Sequence, residues 1–549
     1  MTRAGSVTRK TDPPHMGYEV RCPRRVHLGA APLKGGILAA LLLVFCTGCT
    51  GWREYLHNGF KVGPNYKPPC ASVASHWIDS ADIRAEEDPE ILKHWWTVFN
   101  DPKLNELVSR AYRQNLSLRE AGFRILQARA SRAVTAGEIL PQRQIASGSY
   151  TRNAMAAISP VGPGIGRFSD SWNYGFSLNW ELDFWGRFRR AIAAADANLD
   201  ASVADYDDVL VTLLGDVAGN YVIVRTTQER IKLLDANTEL QRGIVKFIDD
   251  RLKAGFRQTE LDLDQAVSTL RQTEAAIPQL EITLREAENN LCILLGMPPA
   301  DLAEMLGTGP TPMPPPEVVV GIPADLLRRR PDVRRAERLA AAQAEQIGIA
   351  EAELYPAFSI NGNFGYTAKD FPDLFRSTAF NGSVGPSFQW NILNYGRIVN
   401  NVRYQDLRFR ELVVAYQNTV LQANREVENG LVEFLRAQRR SKLLDESVVA
   451  ARKATNIVVE QYKKGATDFN RYALIEQNLV TQQDLAAQAR GEVSQGLIAV
   501  FRALGGGWEI RLGGGVAAPA PTAPEELPTP QPEENQPKTE EAPLPDAKS

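Results

Sequence analysis

One long unit of this chain recurs 210 residues downstream, in the same register. Trp180-Glu181-Leu182-Asp183-Phe184-Trp185-Gly186-Arg187 is matched by Trp390-Asn391-Ile392-Leu393-Asn394-Tyr395-Gly396-Arg397, and Arg251-Leu252-Lys253-Ala254-Gly255 by Gln461-Tyr462-Lys463-Lys464-Gly465. Between them the apolar positions Val203, Tyr206, Leu210, Val217, Tyr221 and Val224 fall on Val413, Tyr416, Val420, Val427, Leu431 and Phe434 with no gap. Helical phase kept over about 75 residues marks an internal duplication. Each copy reads as short strands, a very long helix, a turn and a returning helix. Two fused elongated units account for about 400 of the 549 residues. They replace the three or four compact domains that length alone suggests.

Composition narrows the function classes. The net charge of −3 gives no reason to expect nucleic acid as a partner. All five histidines (His15, His27, His57, His76 and His94) precede the repeats, and of Cys22, Cys46, Cys49, Cys70 and Cys292 only the last lies beyond residue 100. The body of the chain therefore lacks the material for a His-Cys zinc site, a Ser-His-Asp triad or a Cys-His dyad. Carboxylate chemistry remains formally open, but no metal, cofactor or catalytic residue is expected, and the chain reads as a non-enzyme. Cys292, within Leu291–Leu295, reads as a small buried residue. No run of 18 apolar residues is present, so no transmembrane helix is expected.

The N-terminus carries a targeting pattern. Arg24, Arg25 and Lys34 precede the apolar run Ile37 to Phe45, and Cys46-Thr47-Gly48-Cys49 follows. Basic, then short apolar, then small residues describe a signal peptide. The small residues before Cys49 resemble a lipoprotein cleavage box, although Cys46 stands where leucine is usual; translation from Met16 would give a shorter leader. With cleavage there, Cys49 becomes the lipid anchor, each buried methylene contributing roughly 0.8 kcal/mol. Ordinary cleavage with Cys49 unmodified is the alternative.

Four segments alternate between apolar and polar residues. Trp172, Tyr174, Phe176, Leu178, Trp180 and Leu182 are interleaved with Asn173, Gly175, Ser177, Asn179 and Glu181. Phe358, Ile360, Phe364 and Tyr366 alternate with Ser359, Asn361, Asn363 and Gly365; Val384, Pro386, Phe388, Trp390 and Ile392 alternate with Gly385, Ser387, Gln389 and Asn391; a weaker strand fits Gln142 to Asn153. Aromatic-rich strands of this length suit a membrane β-barrel. A sheet packed on a soluble core alternates in the same way. The strand number is the sharper constraint. Four strands cannot close, and an open sheet in lipid leaves unpaired backbone at a high cost. A membrane reading therefore requires several chains: two would supply eight strands and three would supply twelve. Eight-stranded barrels are filled by their own side chains, so conduction favours at least three chains.

From Arg187 to about Leu252 no proline intervenes, and apolar residues recur at spacings of three and four; Arg397 to Lys464 repeats this. Return helices are expected from Glu260 to Leu295, with a kink at Pro278, and from Phe469 to Leu504. Gly255 and Gly465 are then the tips of two helical hairpins. A solid coiled-coil bundle without a pore fits the helices alone equally well. Shorter helices are expected over Pro102 to Glu138 and Pro331 to Glu353. Residues 513 to 549 hold nine prolines and seven acids and are expected to be disordered.

Lys61-Val62-Gly63-Pro64-Asn65-Tyr66-Lys67-Pro68-Pro69 after Cys49, together with the duplicated unit, resembles the outer-membrane-factor lipoproteins, the TolC/OprM/NodT-like exit ducts of Gram-negative efflux systems. The resemblance covers roughly residues 49 to 508. It implies a mainly α fold with a small β part, in which a homotrimer forms a 12-stranded outer-membrane β-barrel continued by a periplasmic α-helical barrel. It implies a passive duct in outer-membrane lipid that receives small molecules from an inner-membrane pump, commonly of the resistance-nodulation-division class, through a periplasmic adaptor protein. Gly255 and Gly465 match the tips where the adaptor is expected to dock. Near the second tip, relatives close the aperture with tyrosine, arginine and acidic residues. Tyr462 fits the tyrosine, Thr467 stands where an arginine can occur, and Arg471 stands where aspartate is frequent. Glu260, Asp262, Asp264 and Asp468 are the candidate aperture carboxylates, with a solvated helix face as the plainer alternative.

The organisation implied is a signal peptide (1–48), a lipidated segment and equatorial wrap (49–100), a first repeat (101–300), an equatorial linker (301–325), a second repeat (326–509) and a Pro/Glu-rich tail (510–549). Type I protein secretion would use the same kind of duct, and a non-conducting coiled-coil lipoprotein is the alternative from another class.

Overall fold

The structure, a computed structural model, describes residues 51–73, 77–78, 89–156, 168–255, 259–315 and 328–512. Cys49, the leader, most of the tail and part of the linker lie outside the described residues. The chain forms two compact units, each drawing on both repeats: one takes residues 51–70, 126–201 and 336–416, the other 71–125, 202–335 and 417–512.

The duplication is visible element by element. Helices α1 (Pro102–Gln114) and α2 (Leu116–Gly137) lead into strands β1 (Arg143–Ala154) and β2 (Phe168–Leu182), then α3 (Arg187–Lys253) and α4 (Glu260–Leu294). The second copy runs α5 (Pro331–Ala352), β3 (Ala357–Ala368), β4 (Phe380–Gln389), α6 (Arg397–Lys463) and α7 (Phe469–Ala503). Helices α3 and α6 are both 67 residues long, and α4 and α7 are both 35. An 18-residue window of α3 has a mean hydropathy of 1.3, long and apolar enough to cross a membrane, but 61% of it is buried as a core helix is. Helix α4 runs through Pro278 without interruption.

Two sequence expectations are corrected. The segment expected as one helix from Pro102 to Glu138 is broken at Asn115, which is extended (φ −61°, ψ 128°). Its side chain accepts from Leu118 N at 2.8 Å and donates to the Leu294 carbonyl at 2.9 Å. A side chain that caps the next helix and meets another competes successfully with helix continuation. Strand β4 stops at Gln389. Trp390 lies beyond it and donates its indole N–H to the Leu354 carbonyl at 3.0 Å.

In the first unit the four strands form one antiparallel sheet in the order β1-β2-β3-β4. Trp185 lies after β2, stacks on Tyr355 with ring centres 4.5 Å apart, and donates to the Pro356 carbonyl at 2.8 Å.

In the second unit the largest core joins equivalent positions of the two copies. Val217, Tyr221 and Val224 of α3 share it with Val427, Leu431 and Phe434 of α6, beside Leu497, Ile498 and Phe501 of α7. Trp95 stacks on Phe501 at 5.4 Å. Helices α6 and α7 approach closely at Gly496, where a Cβ would stand 2.9 Å from Phe434 Cα. Helix α1 starts at Asp101, whose Oδ1 accepts from Lys103 N (2.8 Å) and Leu104 N (3.3 Å), while its Oδ2 accepts from Tyr221.

Candidate functional site

Three places can carry function: the two faces of the sheet, the clamp on the N-terminal motif, and the helical hairpin tips. The sheet register puts the aromatic residues together. Tyr150 pairs with Trp172, Tyr174 with Tyr366 and Phe176 with Phe364, while Phe358 pairs with both Leu182 and Phe388. Tyr174 and Tyr366 stack at 5.0 Å. Much of this face is bare, with Phe388 and Val384 about 70% and 67% exposed. The opposite face is polar and bridged from strand to strand. Asn179 donates to Asn361 (2.5 Å), which donates to Ser387 (2.7 Å); Asn381 donates to Thr367 (2.7 Å), which donates to Asn173 (2.8 Å). One face thus suits hydrocarbon and the other water. Among the described residues no strand pairs with the outer edges of β1 and β4, and their backbone groups are ones that lipid cannot satisfy.

The Lys61–Tyr66 motif is pinned by an arginine that sequence reasoning missed. Arg190 is fully buried and donates to the Val62 carbonyl (2.5 Å), the Gly63 carbonyl (2.7 Å) and Glu345 Oε2 (2.6 Å). Two backbone acceptors and one carboxylate satisfy the guanidinium, the condition for burying a charge. Val62 N donates to the Trp185 carbonyl at 3.0 Å, and Gly186 (φ +82°) lets Lys61 approach so closely that a Cβ would meet its Cγ at 2.5 Å. The motif therefore packs on the first Trp-Gly-Arg signature. The equivalent Ile392, Leu393 and Tyr395 are left 71%, 81% and 95% exposed.

At the tips, Gly255 (φ +74°) and Gly465 (φ +72°) are both left-handed, and a Cβ on either would meet nothing within 4 Å. Gly465 closes a Schellman motif: its N–H donates to the Tyr462 carbonyl (2.9 Å) and Ala466 N to that of Gln461 (2.8 Å). Tyr462 is buried in an aromatic cluster, stacked on Tyr472 at 5.5 Å and edge-on to Phe469 and Phe247. Asp262 forms a capping box with Thr259 (3.0 and 3.3 Å), and Asp468 caps α7 by accepting from Arg471 N at 2.8 Å. The T-x-x-D spacing of Thr259 and Asp262 is a local signal from which the first of these could have been read. Glu260, Asp264 and the Arg471 side chain are exposed. Burial pushes the Glu476 carboxyl above the usual range, while its bond to Tyr472 pulls the other way.

The comparisons agree with this geometry. The family model described as outer membrane efflux protein matches residues 107–297 and 322–506. The pyoverdine export outer membrane protein OpmQ of Pseudomonas putida is 28% identical over 450 residues, covering 80% of this chain and 94% of its own. Nodulation protein T of Rhizobium leguminosarum bv. trifolii is 29% identical over 440 residues, covering 80% and 92%. Among solved structures, the outer-membrane channel OprN superposes with a TM-score of 0.76 at 31% identity, covering 82% of this chain and 99% of that one. The Campylobacter jejuni CmeC channel has the same fold, with a TM-score of 0.74 at 23% identity over 81% and 95%. A duplicated chain whose sheet needs lipid on one face and water on the other, and which this family model matches in both copies, belongs to the outer membrane efflux protein family and resides in the outer membrane.

Proposed function

We propose that this outer-membrane efflux protein works as a homotrimer, the passive exit duct of a tripartite assembly fed by an inner-membrane pump through a periplasmic adaptor. The observation that carries this is the open four-stranded sheet with one apolar and one polar face. Three copies joined β4 to β1 supply twelve strands and leave no free edge. The exposed Ile392, Leu393 and Tyr395 offer an apolar patch for a neighbouring copy, where the first repeat is covered by its own N-terminal segment. The polar ladder then lines the barrel and aromatic rings meet lipid.

The hairpin tips at Gly255 and Gly465 are our docking sites for the adaptor; their open surroundings support this. Exposed Glu260 and Asp264 are the carboxylates best placed to face an aperture, since Asp262 and Asp468 are occupied as caps. A threefold axis would multiply any such ring and focus its field on cations. Tyr462 holds the tip from within, and Arg471, exposed in the first turn of α7, is a further candidate to face the aperture. Cys49 is the proposed lipid anchor. The sequence boundaries at 48, 100, 300, 325 and 509 remain our division of the chain. The mass of the purified protein in detergent tests the assembly: three copies support it, and a monomer or dimer would overturn it.

A further inference from the structure

The connection between β3 and β4 does not simply span two strands. Residues Phe371–Phe375 form a 3₁₀ helix, followed by a second short turn at Ser377–Ala379. Three residues per turn sort the side chains onto three edges. Asp370, Asp373 and Arg376 share one, Phe371 and Leu374 a second, and Pro372 and Phe375 the third. The second edge lies on the aromatic face of the sheet: Phe371 meets Trp172 edge-on at 4.9 Å, and Leu374 is only 4% exposed. Phe375 lies 6.1 Å from Tyr174, yet it keeps 65% of its surface bare, and Phe371 keeps 50%.

The segment therefore folds over the face that meets lipid rather than over the polar face. It lies at the sheet end remote from the helices, because β3 runs toward it and β4 runs back to α6. Its backbone is largely satisfied internally: Asp373 N donates to the Asp370 carbonyl (3.1 Å), Arg376 N to Asp373 (3.1 Å) and Ala379 N to Arg376 (3.0 Å). The charged edge is partly self-paired, Arg376 to Asp373 at 3.1 Å. Beside it, Tyr150, Trp172, Tyr174 and Tyr366 form a patch in which rings carry polar tips. Amphipathic rings in that arrangement partition to the boundary between headgroups and acyl chains.

We infer that Phe371–Phe375 is a membrane-interface anchor: Pro372 and Phe375 seat in outer-leaflet lipid, with Asp370, Asp373 and Arg376 at headgroup level, fixing the height of the barrel in the bilayer. This rests on the barrel reading proposed above. A nitroxide label on Phe375→Cys in a Cys70→Ser background, in vesicles of phosphatidylethanolamine and phosphatidylglycerol, tests it by collision with oxygen and with a water-soluble nickel chelate. The unsubstituted background is labelled in parallel, with Phe364→Cys and Asn381→Cys marking the aromatic and polar faces. The expected result is an oxygen-to-nickel ratio severalfold higher at 375 than at 381, at a depth shallower than 364. Nickel access at 375 with oxygen preference at 364 would overturn the anchor alone. Shielding of 375 from both reagents would also overturn it, because the ring would then be covered by protein. Nickel access at both 375 and 364 would instead remove the barrel reading itself.

Discussion

A Cβ on Gly63 would stand 2.6 Å from the Cα of Gly348, so the N-terminal motif and helix α5 meet backbone to backbone. A Cβ on Gly348 would in turn lie 2.2 Å from Cδ of Arg190. Arg190 reaches the Val62 and Gly63 carbonyls through a gap that only glycine leaves.

Gly348→Ala should therefore displace Arg190 and strand Glu345 and two carbonyls. Losing buried, charge-assisted bonds of this kind costs about 3 kcal/mol or more. Thermal melting of the purified protein should fall clearly, whereas Gly385→Ala, with open space around its Cβ, should not lower it.

Asp207 is fully buried and held by Arg511 through Nε (2.5 Å) and Nη2 (3.0 Å), with Arg334 at 3.5 Å. Arg511→Met should cost about 3–5 kcal/mol, because it leaves a buried carboxylate short of its partner. Adding Asp207→Asn should recover part of that loss in a double-mutant cycle; strict additivity of the two changes would count against direct coupling.

Burial pushes Asp208 up to about 6, with the Asp332 carboxylate adding to the rise. Its contribution to stability is full below the unfolded value of about 3.9 and is lost as pH rises through about 6. Asp208→Asn should flatten stability between pH 4 and pH 6.5 and leave the protein more stable by roughly 2 kcal/mol at pH 7.5. Denaturant titrations across that range provide the check; an unchanged pH slope would contradict it.

At the tip, Gly465→Trp has room for its side chain but must hold a left-handed backbone, a local cost of about 1–2 kcal/mol. It should weaken efflux without loss of the oligomer, as read by drug susceptibility beside mass in detergent. Asp262→Lys should act in the same direction and, by breaking the capping box, cost about 1 kcal/mol in helix α4. Normal susceptibility at normal expression would remove the docking role.

Repeat, strands and hairpin glycines were legible because each rests on local periodicity: helices of 67 and 35 residues in both copies follow from unbroken apolar spacing ended by glycine. What was not legible depends on partners distant in sequence. Asn115 breaks a helix because the Leu294 carbonyl is there to meet it. Arg190 carries no local signal that separates it from the other arginines of α3; only the fold brings Val62, Gly63 and Glu345 around it. The turn at Phe371–Phe375 is too short for a periodic signal, and its place on the aromatic face is set by Trp172.

Planar-bilayer conductance of the purified full-length protein tests the central claim most directly. A hollow trimeric duct should pass ions, in brief openings if the tips are closed, and with a weaker preference for cations once Glu260 and Asp264 are neutralised. A water-soluble protein that never conducts, with or without those substitutions, would contradict the duct and leave a coiled-coil bundle without a pore.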